Sequence, residues 1–414
     1  MIHRPGNPSH GKGMRLSGTN LERAGDHNQR VTLHAIRVNG PITRAELAAI
    51  TGLTAPAIAN ITKRLLTDKL IQEAGRRRGG RGQPATKLVI NPDARFSIGL
   101  NVDRDHMTMV VLDFGGRVRA RASTEMAFAM PRDVEQFFRK VVDKLLAKVG
   151  IGRERLAGVG VAVPDDMPKA VTLPHQPTDY GVWARTDVAS LLTGTLQVPV
   201  FVENDAAAAT MGEMQFGLGK KYQTFFYILI TAALGGSLVV EGNHFRGATG
   251  RSGELGLLRG RDANGHERQI QNIVSLSALY SRLAAQGIRV SEPHELEALD
   301  DSGKAIIDAW VEAAVDSLLD TLLAINCLVN PEAILIGGRL PASIVDALAT
   351  RLNQRLAAHA GTVPSIAPVA RAALSDDAPA VGAAILPFSH RLLPTRTALM
   401  KVAARSNYTT RETS

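Results

Sequence analysis

Two side chains at the predicted end of a strand could take part in acid–base or hydrogen-bonding chemistry. The residues 198–202 read as a strand, which is followed by Asn204 and Asp205 and then by the helix-forming run Ala206–Ala209. In α/β folds, ligand sites collect at the carboxyl ends of strands. An aspartate placed there could act as a general base toward a hydroxyl. The spacing alone favours a simpler role, in which Asp205 caps the amino end of the following helix.

A second group of residues is suited to binding anions. The segment from Gly75 to Pro84, GRRRGGRGQP, holds four arginines among four glycines. Guanidinium groups need water or anionic partners and glycine favours loop conformations, so we expect an exposed basic loop. Either this loop contacts a polyanion or it is a solvated linker, and the run itself leaves both alternatives open.

The excess positive charge of the chain lies near its amino end. The 414 residues carry 48 Lys and Arg against 39 Asp and Glu, a net charge of +9. Residues 1–90 hold 15 basic and 5 acidic residues, a net charge of +10, so the rest of the chain is close to neutral. A locally basic module is the electrostatic signature of nucleic-acid binding, because neutralised phosphates release counterions.

The composition argues against several classes of protein. With Cys327 as the sole cysteine, neither a disulfide framework within one chain nor a cysteine-rich zinc site can form, which fits a cytoplasmic location. Cys327 lies in an apolar helical pattern, where we expect it to pack in the core.

Residues 1–30 lack the apolar stretch of a secretory signal. The longest apolar run, Phe225 to Val240, is interrupted by polar residues and predicts two strands around a glycine turn rather than a membrane span.

The elements that position the basic loop are predicted to form a helix-turn-helix. A short first helix starts at Arg30. Thr43 and Glu46, three residues apart, form a capping-box pattern at the start of a second helix, which Gly52 ends. Thr54 then caps a third helix with an apolar stripe at helical spacing. Two helices joined by so short a turn have the spacing of a helix-turn-helix.

The third helix would then lie in the major groove of DNA. Asn60 is the best candidate for reading a base, since an amide can form two hydrogen bonds with adenine, whereas Lys63 and Arg64 are suited to phosphates. Predicted strands at 70–73 and 86–90 would make a wing whose tip is the basic loop. The predicted DNA-binding residues are Thr54, Ala55, Ala57, Asn60, Lys63, Arg64, Arg76, Arg77, Arg78, Arg81 and Gln83. A helical bundle that contacts proteins is the alternative.

Beyond residue 91, strands and helices alternate, and a series of motifs occurs in a fixed order along nearly the whole chain. The motifs are Gly18–Leu21, Gly158–Pro164, Val202–Ala206, Leu234–Gly236, Gly253–Gly256, Asn330–Glu332, Ile336–Gly338 and Ala378–Ala384. In this order they resemble the ROK family (repressors, open reading frames, kinases). The resemblance implies an α/β fold in which an N-terminal winged helix-turn-helix precedes a two-lobed actin-like ATPase (ribonuclease H-like) fold.

The resemblance also implies domain limits. We expect a flexible arm at 1–27, a winged helix-turn-helix DNA-binding domain at 28–91 and a ROK sensor domain of two α/β lobes at 94–390. Residues 391–414 are polar and basic, which predicts a disordered tail. Members of the family with such an N-terminal domain resemble sugar-responsive transcriptional repressors.

The chain departs from the kinases of the family at both phosphate loops. The first loop, Asp-x-Gly-Gly-Thr-Lys in kinases, corresponds to Asn101–His106, which has no glycine and whose carboxylates would repel phosphate. The second corresponds to Thr231–Ser237, which keeps only two of the glycines that allow close backbone approach. These departures imply that ATP binding is lost or very weak, so we expect no cofactor and no catalytic residue.

The family's zinc site is also absent from the sequence. Leu257 stands where zinc-bearing members have histidine, no cysteine occurs from 258 to 271, and His266 is expected to be exposed rather than a metal ligand. The sugar-contacting residues that carry over are, by their motifs, Asn204, Asp205 and Glu254, with Gln271 at the position of a family glutamate. Ligand binding is therefore predicted at Asn204, Asp205, Glu254 and Gln271.

The sequence thus predicts a DNA-binding transcriptional regulator, a repressor, whose ROK domain senses a sugar or related polyol without phosphorylating it. Its expected partners are a double-stranded DNA operator, the sugar or polyol effector and further copies of itself, as a homodimer or homotetramer, with no membrane. Two alternatives remain. One is a ROK sugar kinase with an accessory DNA-binding module, and the other is a ligand-independent DNA-binding dimer.

Overall fold

Local sequence signals account for most of the elements seen in a computed structural model, which describes residues 21–76, 85–165, 167, 176–262, 265–374 and 376–393. The chain divides into two units between Asn91 and Pro92, and each unit is treated by itself. The part of the predicted arm up to residue 20 and the part of the predicted tail from residue 394 lie outside the described residues. The start of the predicted tail was wrong, since Arg391 is the last residue of the final described helix and Leu393 is buried.

The described residues of the first unit form three helices and a three-stranded antiparallel sheet. Its elements are α1 (Leu21–Asn39), β1 (Ile42–Thr43), α2 (Arg44–Thr51), α3 (Ala55–Thr67), β2 (Ile71–Arg76) and β3 (Thr86–Ile90). The sheet order is β1-β3-β2, so the two predicted strands pair and β1 adds a third strand that sequence reasoning missed. The core is formed by the buried side chains Leu33, Ile36, Leu47, Ile58, Leu65 and Leu88.

The turn between α2 and α3 is fixed by the residues predicted to fix it. The Thr43 backbone N–H donates to Glu46 Oε2 at 2.9 Å, and the Glu46 N–H donates to the Thr43 hydroxyl at 3.3 Å, which completes the capping box. Gly52 ends α2 with φ 69°, a left-handed conformation that glycine adopts without strain. The Thr54 hydroxyl accepts from the Ala57 N–H and so caps α3.

Helix α1 begins earlier than the sequence suggested. Residues 21–27 were expected to belong to a flexible arm, but they form the first two turns of α1. This stretch has few apolar side chains, so no hydrophobic period announced it. An ion pair one helical turn apart, Arg30 Nε to Asp26 Oδ2 at 3.0 Å, supports this part of the helix.

The second unit contains two lobes. The elements of the first lobe are β4 (Phe96–Val102), β5 (His106–Asp113), β6 (Val118–Glu125), α4 (Pro131–Val149), β7 (Leu156–Val163), α5 (Val188–Leu196) and β8 (Val200–Asn204). Helix α6 (Asp205–Phe216) follows. The elements of the second lobe are β9 (Phe225–Ile230), β10 (Leu234–Val240), β11 (Asn243–Phe245), β12 (Arg259–Arg261), β13 (Glu267–Gln269), α7 (Leu276–Ala285), α8 (Asp301–Leu328), β14 (Ala333–Gly338), α9 (Ala342–Ala357) and β15 (Val369–Arg371). The chain then forms α10 (Ala378–Arg391).

The two lobes are built on sheets of the same topology. Their strand orders are β6-β5-β4-β7-β8 and β11-β10-β9-β14-β15. In each sheet the first three strands form antiparallel hairpins, and the last two strands run parallel to the central one. Parallel strands bring their carboxyl ends to one edge, which is where ligand sites form in such sheets. The predicted two-lobed α/β architecture is confirmed.

Helices α6 and α10 join the two lobes. Helix α10 packs on β4 and β7 of the first sheet, whereas α6 packs against β9 and β10 of the second. The two helices also pack on each other, at a point where a Cβ on Gly382 would overlap the Ala208 carbonyl oxygen. Glycine is needed at this crossing because no side chain fits between the two backbones.

The apolar run from Phe225 to Val240 forms two strands, as predicted, but the turn between them contains no glycine. The turn is made by residues 231–233, and Gly235 and Gly236 lie within β10. They are needed in the strand because a Cβ on Gly236 would lie 2.5 Å from the Gly253 carbonyl oxygen. Across the described ranges, no helix has both the length and the hydropathy that crossing a bilayer requires.

The expectation for Cys327 was wrong, since its side chain is exposed. Helix α8 is amphipathic near its end, and the buried residue there is Asn326, whose side-chain amide donates to the Leu322 carbonyl at 2.8 Å. Cys327 and Leu328 follow on the outer face. The apolar composition of this stretch hid the fact that its polar member faces inward.

Candidate functional site

Helix α3 presents one polar face and buries the other. Ile58, Ile61 and Leu65 are buried, together with Thr62, whose hydroxyl receives a hydrogen bond from Arg44 Nε at 2.9 Å and so ties α3 to α2. The predicted contact residues of this helix share the opposite face: Thr54, Ala55, Asn60, Lys63 and Arg64 are exposed, and Ala57 is half-buried. The helix can therefore offer an amide and two cations to a partner without disturbing the core.

Of the predicted basic loop, only its first residues belong to the described part of the chain. Arg76 is the last residue of β2, and its side chain is not described. The other predicted wing residues, Arg77, Arg78, Arg81 and Gln83, lie outside the described residues. Their role in binding DNA stays a prediction.

In the second unit, the two neighbouring residues at the carboxyl end of β8 have different roles. Asn204 caps α6, since its Oδ1 accepts from the Ala207 N–H at 3.0 Å. Asp205 is the first residue of the helix and accepts from the Ala206 N–H at 2.8 Å. The expectation that Asp205 is the capping residue was therefore wrong, because the asparagine one position earlier takes that place.

All four predicted ligand residues line one cavity between the lobes. Asn204 and Asp205 come from the first-lobe side, and Glu254 and Gln271 come from the second lobe. Gln271 is buried and its amide donates to the Gln269 side chain at 2.8 Å. Carboxylate and amide groups that converge in this way can hydrogen-bond the hydroxyls of a polyol.

The cavity is small in this arrangement. Its volume is ≈ 50 Å³, well below the roughly 300–1,000 Å³ of typical small-molecule sites. Arg251 occupies its rim, with Nη2 2.8 Å from Glu254 Oε1 and Nε 3.6 Å from Asp165 Oδ2. A sugar can therefore enter only if Arg251 moves or the lobes part.

Asp205 lies in an environment that disfavours its charge. Burial and the nearby Asp103 carboxylate raise the pKa of Asp205 to about 7. At neutral pH the group is therefore divided between the acid, which can donate a hydrogen bond, and the carboxylate, which only accepts. Either form can pair with a ligand hydroxyl.

The turn between β4 and β5 is filled by its own charged side chains. Asp103, Arg104 and His106 are buried there. Arg104 Nε donates to the Met167 carbonyl at 3.2 Å, and its guanidinium also lines the cavity. His106 Nδ1 lies 2.7 Å from Asp105 Oδ1. The sequence shows that this turn lacks the glycines of the kinase loop. It gave no indication that the side chains of Arg104 and His106 are buried in the turn.

These same residues have the spacing of a metal ligand set. Ligand atoms of Asp103, Asp105 and His106 lie within 4.8 Å of one another. Two of the three already bond each other, and Arg339 Nη1 lies 3.2 Å from Asp105 Oδ2. The arrangement is that of an ion-paired cluster, whose cations are guanidinium groups of the chain.

Two residues can be located near the position of the family's zinc site. Leu257 is exposed, and His266 is an exposed side chain with Nδ1 3.5 Å from Asp262 Oδ1. The expectation that His266 is solvent-exposed is confirmed.

Comparison with known proteins places these observations in a family. Residues 97–389 match the ROK family. A relative named xylose repressor, from Bacillus spizizenii, is 25% identical over 380 residues, which cover 88% of this chain and 96% of the relative.

Two solved structures share the fold. The crystal structure of a ROK family transcriptional regulator, a homologue of the Escherichia coli Mlc protein, superposes with a TM-score of 0.64 at 19% identity and covers 88% of this chain and 96% of that one. A ROK hexokinase from Thermus thermophilus superposes with a TM-score of 0.50 at 23% identity and covers 70% and 97%. Because the family match spans most of the chain, the protein belongs to the ROK family.

Proposed function

We propose that this protein is a DNA-binding transcriptional repressor whose ROK domain senses a sugar or related polyol without phosphorylating it. The observation that carries the proposal is the exposed face of α3, with Asn60, Lys63 and Arg64, on a module that holds the whole excess positive charge of the chain. In this proposal residues 28–91 form a winged helix-turn-helix, with α3 in the major groove and the basic loop as the wing tip.

The inter-lobe cavity is the proposed effector site. Asn204, Asp205, Glu254 and Gln271 supply acceptors and donors suited to vicinal hydroxyls. The relative from Bacillus spizizenii is named a xylose repressor, which makes pentoses the first effectors to examine. In this arrangement the cavity is too small to hold a sugar, so the choice of pentoses comes from the name of this relative and not from the cavity.

The β4–β5 turn supports the proposal that the protein transfers no phosphoryl group. In the kinases of the family, this turn offers backbone amides to phosphate. Here Asp103 and Asp105 place carboxylates there, and the buried Arg104 fills the space between the turn and the cavity. Asp205, the counterpart of the kinase base, would then serve as a hydrogen-bond partner of the ligand.

The proposed switch acts through an assembly of two or four chains in the cytoplasm. Two winged domains must meet two half-sites at a fixed spacing, so a change in the sensor domains can lower DNA affinity without touching the recognition helix. A homodimer or homotetramer satisfies this requirement, and the operator would be a DNA palindrome.

DNA binding and kinase activity can be tested separately. We expect genomic DNA fragments selected on the full-length protein to share a palindromic site and to bind with strong salt dependence in fluorescence anisotropy. In a coupled assay with ATP and a sugar panel, we expect no turnover. Turnover that Asp205→Asn abolishes would instead establish the alternative, a sugar kinase with an accessory DNA-binding module.

A further inference from the structure

Ion pairs cross the cleft between the lobes, and at three places in the described chain an arginine of the second lobe reaches carboxylates of the first. Within the described ranges these pairs are Arg246 with Glu203, Arg251 with Asp165, and Arg339 with both Asp105 and Glu125. The side chains of Arg246 and Arg251 are 57% and 40% exposed, whereas that of Arg339 is 8% exposed. The Arg339 contact is therefore the buried member of the set.

Arg339 is held firmly on its own lobe. It follows directly on β14, and its backbone N–H donates to the Ile230 carbonyl at 2.9 Å, at the end of β9. The side chain thus starts from the carboxyl edge of the second sheet, where two parallel strands end together. The base of this side chain is therefore fixed to the second lobe, and a movement of the first lobe would draw the carboxylates away from the guanidinium.

The receiving carboxylates are equally fixed on the first lobe. Arg339 Nη2 donates to Glu125 Oε1 at 2.5 Å, and Nη1 lies 3.2 Å from Asp105 Oδ2. Glu125 ends β6 and is paired in register with His106, while the Asp105 carbonyl accepts from the Met126 N–H at 2.9 Å. Two acids on adjoining backbone segments therefore form one socket for the arginine.

The charges in this socket depend on one another. Burial alone would lower the pKa of Arg339, but Asp105 and Glu125 outweigh it and keep the guanidinium charged. Breaking a buried pair is costly, because it leaves a desolvated charge without a partner. The Arg251 pair is partly exposed at both ends, and the Arg246 pair is exposed at its arginine although its carboxylate partner is only 10% exposed. Because both guanidinium groups stay in contact with water and salt, these pairs contribute less. Closure of the lobes at this end thus depends mainly on Arg339.

We propose that Arg339 is a latch that holds the two lobes closed by pairing with Asp105 and Glu125. The β4–β5 turn connects the latch with the ligand cavity. Asp105 of this turn receives Arg339, and the neighbouring Arg104 lines the cavity. A nucleotide is not needed to bridge the lobes, since the chain supplies both charges. The molecules divide between those whose latch is in the ligand-binding state and those whose latch is not. The apparent affinity for the effector is then proportional to the fraction in the ligand-binding state.

The latch can be tested without knowing the effector or the operator. Cys327 is the sole cysteine and is exposed on α8 of the second lobe. Lys140→Cys adds one exposed site on α4 of the first lobe. Spin labels on the two cysteines of the full-length protein report the distance between lobes by double electron–electron resonance.

Labelled Lys140→Cys protein is mixed, by subunit exchange, with an excess of unlabelled Cys327→Ser protein, so that an assembly holds at most one labelled chain. In this background we expect a single narrow distance distribution. Arg339→Gln should broaden it at least twofold or add a second, displaced population. Glu125→Gln, which alters a 30% exposed carboxylate, should give a smaller change in the same direction. The control is Arg351→Gln, since Arg351 pairs with Asp308 and Glu312 inside the second lobe and its loss should leave the distribution unchanged.

Circular dichroism establishes that each variant is folded, and Glu125→Gln carries the test if Arg339→Gln unfolds. Amide hydrogen exchange gives a second readout, with protection expected to fall at least tenfold at 103–106 and at 338–340 in Arg339→Gln but not in Arg351→Gln. Distance distributions for Arg339→Gln and Glu125→Gln that match the parent would overturn the latch.

Discussion

At the scale of single residues, Asn204 and Asp205 lie side by side in different environments. Asn204 caps α6 through its Oδ1 and also lines the cavity, whereas Asp205 is buried with a raised pKa beside the cavity. A buried carboxyl that is not needed as a cap costs folding free energy, and such cost is common at binding sites. The cost can be measured.

The unfolding free energy should depend on pH through Asp205. Its folded pKa is about 7 and its ordinary value is 3.8, so between these values the folded state holds a proton that the unfolded chain has released. Stability therefore falls as pH rises through this window. Relative to wild type, Asp205→Asn should gain on the order of 2 kcal/mol between pH 5 and pH 8 in urea unfolding.

The matched control is Asp179→Asn, which alters an exposed acid whose side chain makes no capping hydrogen bond. The change with pH measured for Asp205→Asn should exceed that measured for this control. A difference between Asp205→Asn and wild type that is constant from pH 5 to pH 8 would contradict the assigned pKa.

Asn60 and Lys63 should affect DNA binding differently. Asn60→Ala should cost about 1–3 kcal/mol on the preferred site and relax the preference at one base position. Lys63→Ala should weaken binding to all sequences alike and lower the slope of log affinity against log salt by about 1. Lys144→Ala, which removes an exposed lysine of the second unit, is the control for net charge. The opposite pattern would reverse the assignment of base reader and phosphate anchor.

The candidate site was only partly predictable from its residues. The motifs identified Asn204, Asp205, Glu254 and Gln271, which the fold brings into one cavity. They gave no sign of Arg251 or Arg339, because each pairs with carboxylates on the other lobe, far away in sequence. Ion pairs between distant segments have no local pattern.

At the scale of helices and strands, the sequence was sufficient to predict the end of a helix where a residue adjacent to that helix caps it. The capping box at Thr43 and the left-handed Gly52 fixed α2, and Thr54 fixed the start of α3. Prediction failed where pairing or packing decides the outcome. Strand β1 has two residues and exists only through β3, and the glycines of β10 serve contact with another segment rather than a turn.

The crossing of α6 and α10 should tolerate no side chain. Gly382→Ala would force its Cβ into the Ala208 carbonyl oxygen, so the two helices must separate. We expect a loss of about 3 kcal/mol or more in unfolding free energy, since overpacking against backbone cannot relax by a rotamer change. Gly181→Ala, where a Cβ would meet nothing within 4 Å, should change stability by less than about 1 kcal/mol. Equal melting curves for both variants would refute this packing.

At the scale of the whole molecule, the two units differ in charge and in architecture. The basic charge lies with the first unit, while the second carries the ROK fold with a polar cavity and an ion-paired turn. The sequence indicated the basic first unit and the fold of the second unit, because the net charge follows from counting charged residues and the fold follows from the order of the motifs. It could not indicate how the lobes are held, since that depends on contacts formed only after folding.

A sugar in the inter-lobe cavity is proposed to control DNA binding by the first unit. The most direct measurement is operator affinity by fluorescence anisotropy, with and without each sugar that calorimetry shows to bind, beginning with D-xylose. We predict at least a tenfold loss of DNA affinity for wild type and for Asp179→Asn, and no loss for Asp205→Asn, which keeps its DNA affinity without sugar. A sugar that binds wild type but leaves its DNA affinity unchanged, or release of DNA that persists in Asp205→Asn, would contradict the account.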